Sequence, residues 1–307
     1  MDIWQEIKTS FRRGTILTKL IYINLAIFLA VNIAYVFYAL FSAAGVSSGD
    51  MRSSFMQQWI TYLMVPASID KLILKPWTLV TYMFLHFNFL HILFNILWLY
   101  VFGRIFLQYL TEKQLLSTYF LGGLAGAFLF ILSYNVFPGL RSALDVTEML
   151  GASAGVMAVA MAISFYAPNY AMYLPFIGSV KLKYIAIFFI ITDILQVASY
   201  NAGGHIAHLG GVVYAYFFVL QLRRGKDMGH GFSRLMDNIV TMFSGRKRRM
   251  KVSHKKSARG MTDMEYSRSK AQMQEEIDQI LDKIAKSGYD SLTKKEKETL
   301  FKMSGRN

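Results

Sequence analysis

The sequence predicts an all-α membrane protein with six transmembrane helices and a cytoplasmic, partly helical C-terminal tail. Of its 307 residues, 54% are hydrophobic and only 17% are charged, with a mean hydropathy of +0.34. A soluble domain of this size carries more charge. Long, nearly neutral tracts lie between Ile16 and Leu222, and several reach the ~20 apolar residues that cross a bilayer core. These observations favour a polytopic membrane protein.

The N-terminal segment, residues 1–15, is predicted to be a short cytoplasmic helix at the membrane interface. Its apolar Trp4 and Phe11 stand beside the basic Lys8 and two arginines, which is typical of an amphipathic interfacial helix. The apolar run that follows, residues 16–44, is too long for the core of a cleavable signal peptide. We therefore expect the leader to remain attached to the first span.

Six apolar tracts form the predicted membrane domain, residues 16–222, and the fourth is noticeably short. Their predicted bounds are Ile16–Phe41, Thr78–Phe106, Leu116–Phe137, Gly151–Tyr166, Tyr184–Ser199 and His205–Leu222. The first loop, residues 42–76, is too polar to span the bilayer, yet it contains Phe55, Trp59 and Tyr62. Aromatic side chains concentrate at headgroup level, so this loop is predicted to contain a half-buried element at the membrane surface.

The distribution of lysine and arginine predicts the orientation. With six spans, most of the basic residues near span ends fall on the side of the two termini, including Arg12, Arg104, Lys183 and Arg223. Since basic residues accumulate on the cytoplasmic side, both termini are predicted to be cytoplasmic. This pattern, without a targeting signal, suits a multi-pass protein of a bacterial inner membrane.

The tail carries most of the formal net charge of +14. Residues 223–270 are predicted to form a basic, disordered linker that lies against anionic lipid headgroups. No nucleic-acid partner is expected, because no recognition-helix pattern accompanies the basic run. Residues 271–307 are predicted to form a small helical module, with a capping box that begins at Thr293. The sequence identifies no partner for this module.

Among the polar residues inside the apolar tracts, where polar groups are costly and therefore candidates for function, four stand out. His91 and Asn95 belong to the second predicted span, Ser153 begins the fourth, and His208 belongs to the sixth. These three spans run in the same direction in the predicted topology. The four side chains are therefore expected to lie at similar depth, although a serine in an apolar helix is usually a packing residue.

These residue types suit nucleophilic catalysis. A serine hydroxyl becomes a nucleophile when a neighbouring histidine accepts its proton, and the N-terminus of a helix presents free N–H groups to a developing oxyanion. His91 and Asn95 share a helical face through their i, i+4 spacing and offer two further donors. His205 lies one turn before His208, so the residues alone leave open which histidine is the base.

The order of these motifs resembles the rhomboid family of intramembrane serine proteases. The resemblance covers residues 16–222 and rests on His91-x-x-x-Asn95, Gly151-x-Ser153 and Ala207-His208-x-x-Gly211. It implies that Ser153 is the nucleophile and His208 the base, with no acidic third member. It also implies an oxyanion hole formed by His91, Asn95 and the Ser153 N–H.

The same resemblance implies the partners and the packing. The substrates would be transmembrane proteins within the lipid bilayer, cut without a metal or other cofactor. Helix packing near the site would involve Gly151, together with Gly211 and Ala215, whose small side chains allow the sixth span to approach the fourth.

Two positions depart from the family pattern. Ala154 follows the serine where glycine is commonest, so its methyl group could alter the oxyanion geometry slightly. Met157 stands where some members carry a tyrosine that stacks on the catalytic histidine. We expect the thioether of Met157 to pack against that ring instead.

Other functions fit the sequence less well. A metalloprotease is disfavoured because the histidines lack an H-E-x-x-H pattern and an adjacent acidic ligand. Asp193 lies within the fifth span, but an aspartyl protease needs a second intramembrane acid, so its predicted role is a hydrogen bond within the bundle. A transporter would show internal repeats. The remaining alternative is a catalytically silent rhomboid-like protein that binds transmembrane helices.

Overall fold

The computed structural model describes residues 2–42, 47–199, 201–243, 275–276 and 278–304. Two compact units divide the chain, Met1–Gly245 and Arg246–Asn307. Both are mainly helical where they are described. The first contains all the predicted spans and site residues.

The first unit begins with two capped helices. Helix α1 spans Ile3–Arg13, and its N-cap Asp2 accepts a hydrogen bond from the Trp4 N–H at 3.3 Å. Helix α2 spans Ile16–Phe41 and is capped by Thr15. The bounds predicted for the first span are therefore confirmed, and the N-terminal segment is helical as expected.

The first loop folds into several short elements before the next long helix. These are α3 (Ser48–Gln58), a 3₁₀ turn (Ile60–Tyr62), β1 (Val65–Pro66), α4 (Ile69–Leu74), α5 (Thr78–Thr81) and a second 3₁₀ turn (Tyr82–Phe84). Phe55 and Ile60 are buried, whereas Trp59 and Tyr62 are exposed. The predicted half-buried element is therefore present in this loop.

The second predicted span is not one continuous helix. Helix α6 covers Phe89–Tyr109, and the chain between α5 and α6 turns through residues 85–88. Arg52 holds this turn, since its guanidinium donates to the Phe87 carbonyl oxygen at 3.3 Å and to Asn88 Oδ1 at 2.6 Å. Hydropathy could not reveal the break, because the interrupted tract remains mostly apolar.

The rest of the bundle follows in chain order. It consists of α7 (Glu112–Val136), α8 (Pro138–Arg141), β2 (Glu148–Met149), α9 (Ser153–Tyr166), β3 (Ala171–Leu174), β4 (Gly178–Lys181), α10 (Leu182–Gln196) and α11 (Ala202–Arg223). Strand β1 pairs antiparallel with β2, and β3 with β4. Ten residues of α9 are buried, so this short helix lies at the centre of the bundle.

Four helices among the described residues are long and apolar enough to cross a membrane. They are α2, α6, α7 and α11. Helices α9 and α10 have only 14 and 15 residues, short of the ~20 that a span requires. A bundle with six spans therefore stays a prediction.

Small residues bring α9 against its neighbours α7 and α11. A methyl group added to Gly126 would lie 2.6 Å from the Ala154 side chain, and one added to Gly211 would overlap the Ala154 carbonyl oxygen. Ala215 on α11 is fully buried. Gly211 thus brings α11 close to α9, and Gly126 leaves room for the methyl group of Ala154.

The tail differs in part from the prediction. The disorder predicted for residues 223–270 is wrong for helix α12, His230–Phe243. This helix contacts α7 through an ion pair between Asp237 and Lys113 at 2.6 Å and through the rings of Phe232 and Phe120, whose centroids are 5.4 Å apart. Residues 244–274 lie outside the described part of the chain.

The second unit contains two described helices, α13 (residues 278–287) and α14 (Lys294–Ser304). The capping box predicted at Thr293 is confirmed: the Thr293 N–H donates to Glu296 Oε2 at 2.6 Å, and the Glu296 N–H donates to Thr293 Oγ1 at 3.4 Å. Hydrogen bonds from the Thr293 backbone and from Lys283 lower the pKa of Glu296 to about 2.

Replacement of Gly122 by alanine tests the α7–α9 contact. The new methyl group would overlap the Ala158 side chain, so we expect Gly122→Ala to reduce the free energy of unfolding by about 1–3 kcal/mol. Ala158→Gly in the same chain should restore part of this loss, since it removes the overlapping group at a helix-propensity cost of about 1 kcal/mol. Thermal and denaturant unfolding in detergent micelles measures both effects.

Gly139→Ala on α8 is the matched control, because a methyl group there would meet nothing within 4 Å. Equal unfolding midpoints for Gly122→Ala and Gly139→Ala would contradict the close α7–α9 contact.

Candidate active site

A cavity of about 1020 Å³ lies within the bundle and opens beside the N-terminus of α9. The residues predicted as nucleophile, base and oxyanion donors all line it: Ser153, His208, His91 and Asn95. They come from α9, α11 and α6, helices that are distant in sequence. His205 is absent from the lining. Of the two histidines that the sequence left as candidates for the base, His208 is therefore the one that faces the cavity.

Ser153 is the first residue of α9, held there by an unusual turn. Gly151 has a φ of +123°, which favours glycine, and a methyl group on it would lie 2.7 Å from His91 Cε1. The Gly151 N–H donates to the Tyr82 carbonyl oxygen at 2.9 Å. The predicted start of the fourth span at Gly151 is corrected to Ser153, because this turn cannot be helical.

His86 supports the same turn through contacts with Ala152 and His91. It is 1% exposed, and its Nε2 accepts a hydrogen bond from the Ala152 N–H at 3.4 Å. Its ring also packs edge-on against that of His91, with centroids 5.0 Å apart. These contacts give His86 a structural role and position the His91 ring beside Gly151.

The hydroxyl of Ser153 is unpaired in the structure. It makes no hydrogen bond with any described residue, His208 included, so the serine and histidine face one cavity without a direct bond. Catalytic hydrogen bonds are often long before substrate binds. The Ser153–His208 dyad therefore stays a prediction.

Asn95 is engaged within its own helix. Its side chain is buried and donates to the His91 carbonyl oxygen at 2.9 Å. A side-chain amide carries two N–H donors, so one remains for a ligand in the cavity. The i, i+4 spacing thus places the imidazole of His91 and the amide of Asn95 on one wall, as predicted.

For Asp193 on α10, the sequence predicted a hydrogen bond but did not identify its partners. The predicted hydrogen bond within the bundle exists, and its partners are His208 Nδ1 at 2.9 Å and His205 Nδ1 at 2.8 Å, both at Asp193 Oδ1. The feature of the sequence that marked Asp193 was an acidic residue within an apolar run. The 15-residue separation from His208 gave no sign of the contact.

The same three residues are the group in the described part of the chain that could hold a metal ion. One ligand atom from each of Asp193, His205 and His208 lies within 4.8 Å of the others. The absence of an acidic ligand beside these histidines, inferred from the sequence, is therefore wrong, because Asp193 comes from another helix; the two short N–O distances are those of hydrogen bonds.

Met157 also lines the cavity, one turn after Ser153. His208 lines the same cavity, and packing of the Met157 thioether against its ring stays a prediction. Ala154, in contrast, is buried and lies against Gly126 of α7, so the extra methyl group at this position is accommodated in the helix interface.

Comparison with known proteins gives two family matches. Residues 74–225 match the family described as Rhomboid domain, and residues 261–306 match a family of unknown function, DUF6576. The first match includes every residue of the candidate site. The second coincides with the helical module at the C-terminal end.

A curated relative agrees with the first match. The chain is 31% identical over 159 residues to RHOMBOID-like protein 12, mitochondrial, of Arabidopsis thaliana, an alignment that covers 48% of this chain and 47% of the relative. The chain thus matches about half the length of that protein. With its long apolar helices, it is a multi-pass membrane protein that belongs to the rhomboid family.

Proposed function

We propose that the chain is an intramembrane serine endopeptidase that hydrolyses peptide bonds in or near transmembrane segments of membrane proteins. The observation that carries the proposal is the position of Ser153. It begins a short buried helix and faces a cavity that it shares with His208 and with the side chains of His91 and Asn95.

The chemistry follows from these groups. His208 takes the proton from the Ser153 hydroxyl as the oxygen attacks the scissile carbonyl carbon. The negative charge that develops on the carbonyl oxygen is stabilised by the Ser153 N–H, His91 and Asn95, since preorganised donors act most strongly where charge develops. His208 then gives its proton to the leaving amine, and water hydrolyses the acyl-enzyme.

The length of α9 supports access of water to this site. Its 14 residues span about 21 Å at 1.5 Å per residue, less than the ~30 Å of a bilayer core. We propose that Ser153, at its N-terminus, lies below the membrane surface beside the cavity that it lines. Irregular backbone at this depth is tolerated where it lines a water-filled space, as the turn at Gly151 would here.

The topology belongs to the proposal as well. We propose six spans over residues 16–222, both termini in the cytoplasm and a bacterial inner membrane as the location, from the distribution of lysine and arginine. The basic segment after α11 would then meet anionic lipid headgroups. Transmembrane proteins are the proposed substrates, and the C-terminal module is proposed as a separate domain.

Cleavage of a transmembrane reporter in liposomes tests the assignment of nucleophile and base. We expect the unsubstituted chain to cut the reporter, Ser153→Ala and His208→Ala to abolish cutting, and His205→Ala to retain it, because only the first two remove a group that faces the cavity. Product is measured by gel and its ends by mass spectrometry.

Ser164→Ala is the matched control for the nucleophile. It makes the same change on the same helix, at a buried serine whose hydroxyl donates to the Ala160 carbonyl oxygen at 2.7 Å. Cutting that survives Ser153→Ala would contradict the serine mechanism. A folded chain that binds the reporter helix but leaves it intact would favour the catalytically silent alternative.

Asn95→Ala tests the oxyanion donors. Loss of one such donor typically lowers kcat by about 10²–10³, so we expect a decrease of that order with little change in KM. Kinetics with the same reporter in liposomes measure both constants.

Asn32→Ala on α2 is the control, because Asn32 makes an equivalent bond to the Phe28 carbonyl oxygen at 2.9 Å outside the cavity. An Asn95 variant no slower than the Asn32 variant would remove Asn95 from the oxyanion hole.

A further inference from the structure

A buried carboxylate contacts the proposed base. Asp193 is 4% exposed, and its Oδ1 lies 2.9 Å from His208 Nδ1. An ionised carboxylate only accepts hydrogen bonds, so the proton of this bond belongs to His208 Nδ1. The contact therefore favours the tautomer in which His208 Nε2 carries no proton.

The second ring nitrogen of His208, Nε2, is available to act as the base. Nε2 makes no hydrogen bond with the part of the chain that the structure describes, while His208 and Ser153 line the same cavity. A general base must present an unprotonated nitrogen toward the group that it deprotonates. The nitrogen that Asp193 leaves unprotonated is the one available to the serine.

The charge of Asp193 also lacks a permanent cationic partner. Among the described residues its ion-pair partners are only the imidazoles of His205 and His208, and its second oxygen, Oδ2, is buried without a hydrogen-bond partner. A buried charge without compensation is costly. Any step that places a positive charge on His208 would supply that compensation.

We propose that Asp193 is a positioning residue for His208, so that the site contains a serine, a histidine and a carboxylate in place of the expected dyad. This inference rests on the proposed function. Asp193 holds His208 as the Nδ1–H tautomer and stabilises the imidazolium that forms when the Ser153 proton moves to Nε2. The proton later leaves Nε2 for the departing amine, and Asp193 remains ionised throughout.

His205 shares the carboxylate without serving the reaction. Its Nδ1 lies 2.8 Å from the same Oδ1, but the residue does not line the cavity. Both histidines therefore contact the same carboxylate oxygen, and their ring centroids are 5.7 Å apart. A single oxygen therefore links both histidines of α11 to α10.

Asp193→Asn tests the proposal by two independent readouts. An amide can donate as well as accept, so it no longer requires a proton on His208 Nδ1. We expect kcat on the reporter to fall by up to about 10⁴, the decrease seen when the aspartate of a serine–histidine–aspartate triad becomes asparagine, with KM little changed. Nitrogen-15 NMR of histidine-labelled protein in micelles should show that His208 changes from the Nδ1–H tautomer to a mixture.

Two further variants complete the design. Asp193→Glu keeps the carboxylate and should recover part of the rate and the Nδ1–H signal, which a role in packing alone would not predict. Asp237→Asn is the matched control, since it makes the same change in an exposed ion pair on α12. Both should unfold at temperatures close to that of the unsubstituted chain.

The outcomes distinguish this inference from the proposed function. If Asp193→Asn keeps both the wild-type rate and the Nδ1–H tautomer, or if Asp193→Glu behaves no differently from Asn in a folded chain, Asp193 does not position His208. If the unsubstituted chain cuts no reporter while the tautomer still depends on Asp193, the contact is real and the proposed activity is what fails.

Discussion

The close contact of α9 with α7 and α11 is the constraint on which the site depends. Ser153 faces the cavity because α9 is buried between helices whose glycines allow backbone to touch backbone. Without a hydrophobic driving force between helices in lipid, such packing and interhelical hydrogen bonds hold a bundle together. The same contact brings α11, and with it His208, to the level of the serine. The same small residues therefore determine both the packing of α9 and the positions of Ser153 and His208.

The polar groups in the bundle form a connected set around this contact. The segment that precedes α6 supports the site through Tyr82 and His86, which accept hydrogen bonds from the two residues before Ser153. On the opposite side Asp193 binds the histidines of α11. Tyr82, His86 and Asp193 thus each make a buried hydrogen bond that also orients a site residue, as favoured where polar groups are costly to leave unpaired.

Much of this could be predicted from the sequence. Apolar length predicted the bounds of α2, and the motifs around His91, Ser153 and His208 predicted which side chains share a cavity. Hydropathy failed at residues 85–88, because the break there depends on hydrogen bonds from Arg52, a residue of another element. It also gave no sign of the bond between Asp193 and His208, since that bond depends on how α10 and α11 are rotated about their axes. Hydropathy along the chain does not contain either set of bonds, because each joins residues of different elements.

Covalent labelling of the folded protein by a fluorophosphonate probe, followed by peptide mapping, measures whether Ser153 is an activated nucleophile. The probe modifies a serine only where a base and oxyanion donors activate it. We expect Ser153 to be modified in preference to the buried Ser164 of the same helix, and modification to be lost in His208→Ala. A folded chain in which Ser153 is no more reactive than Ser164 would contradict this expectation.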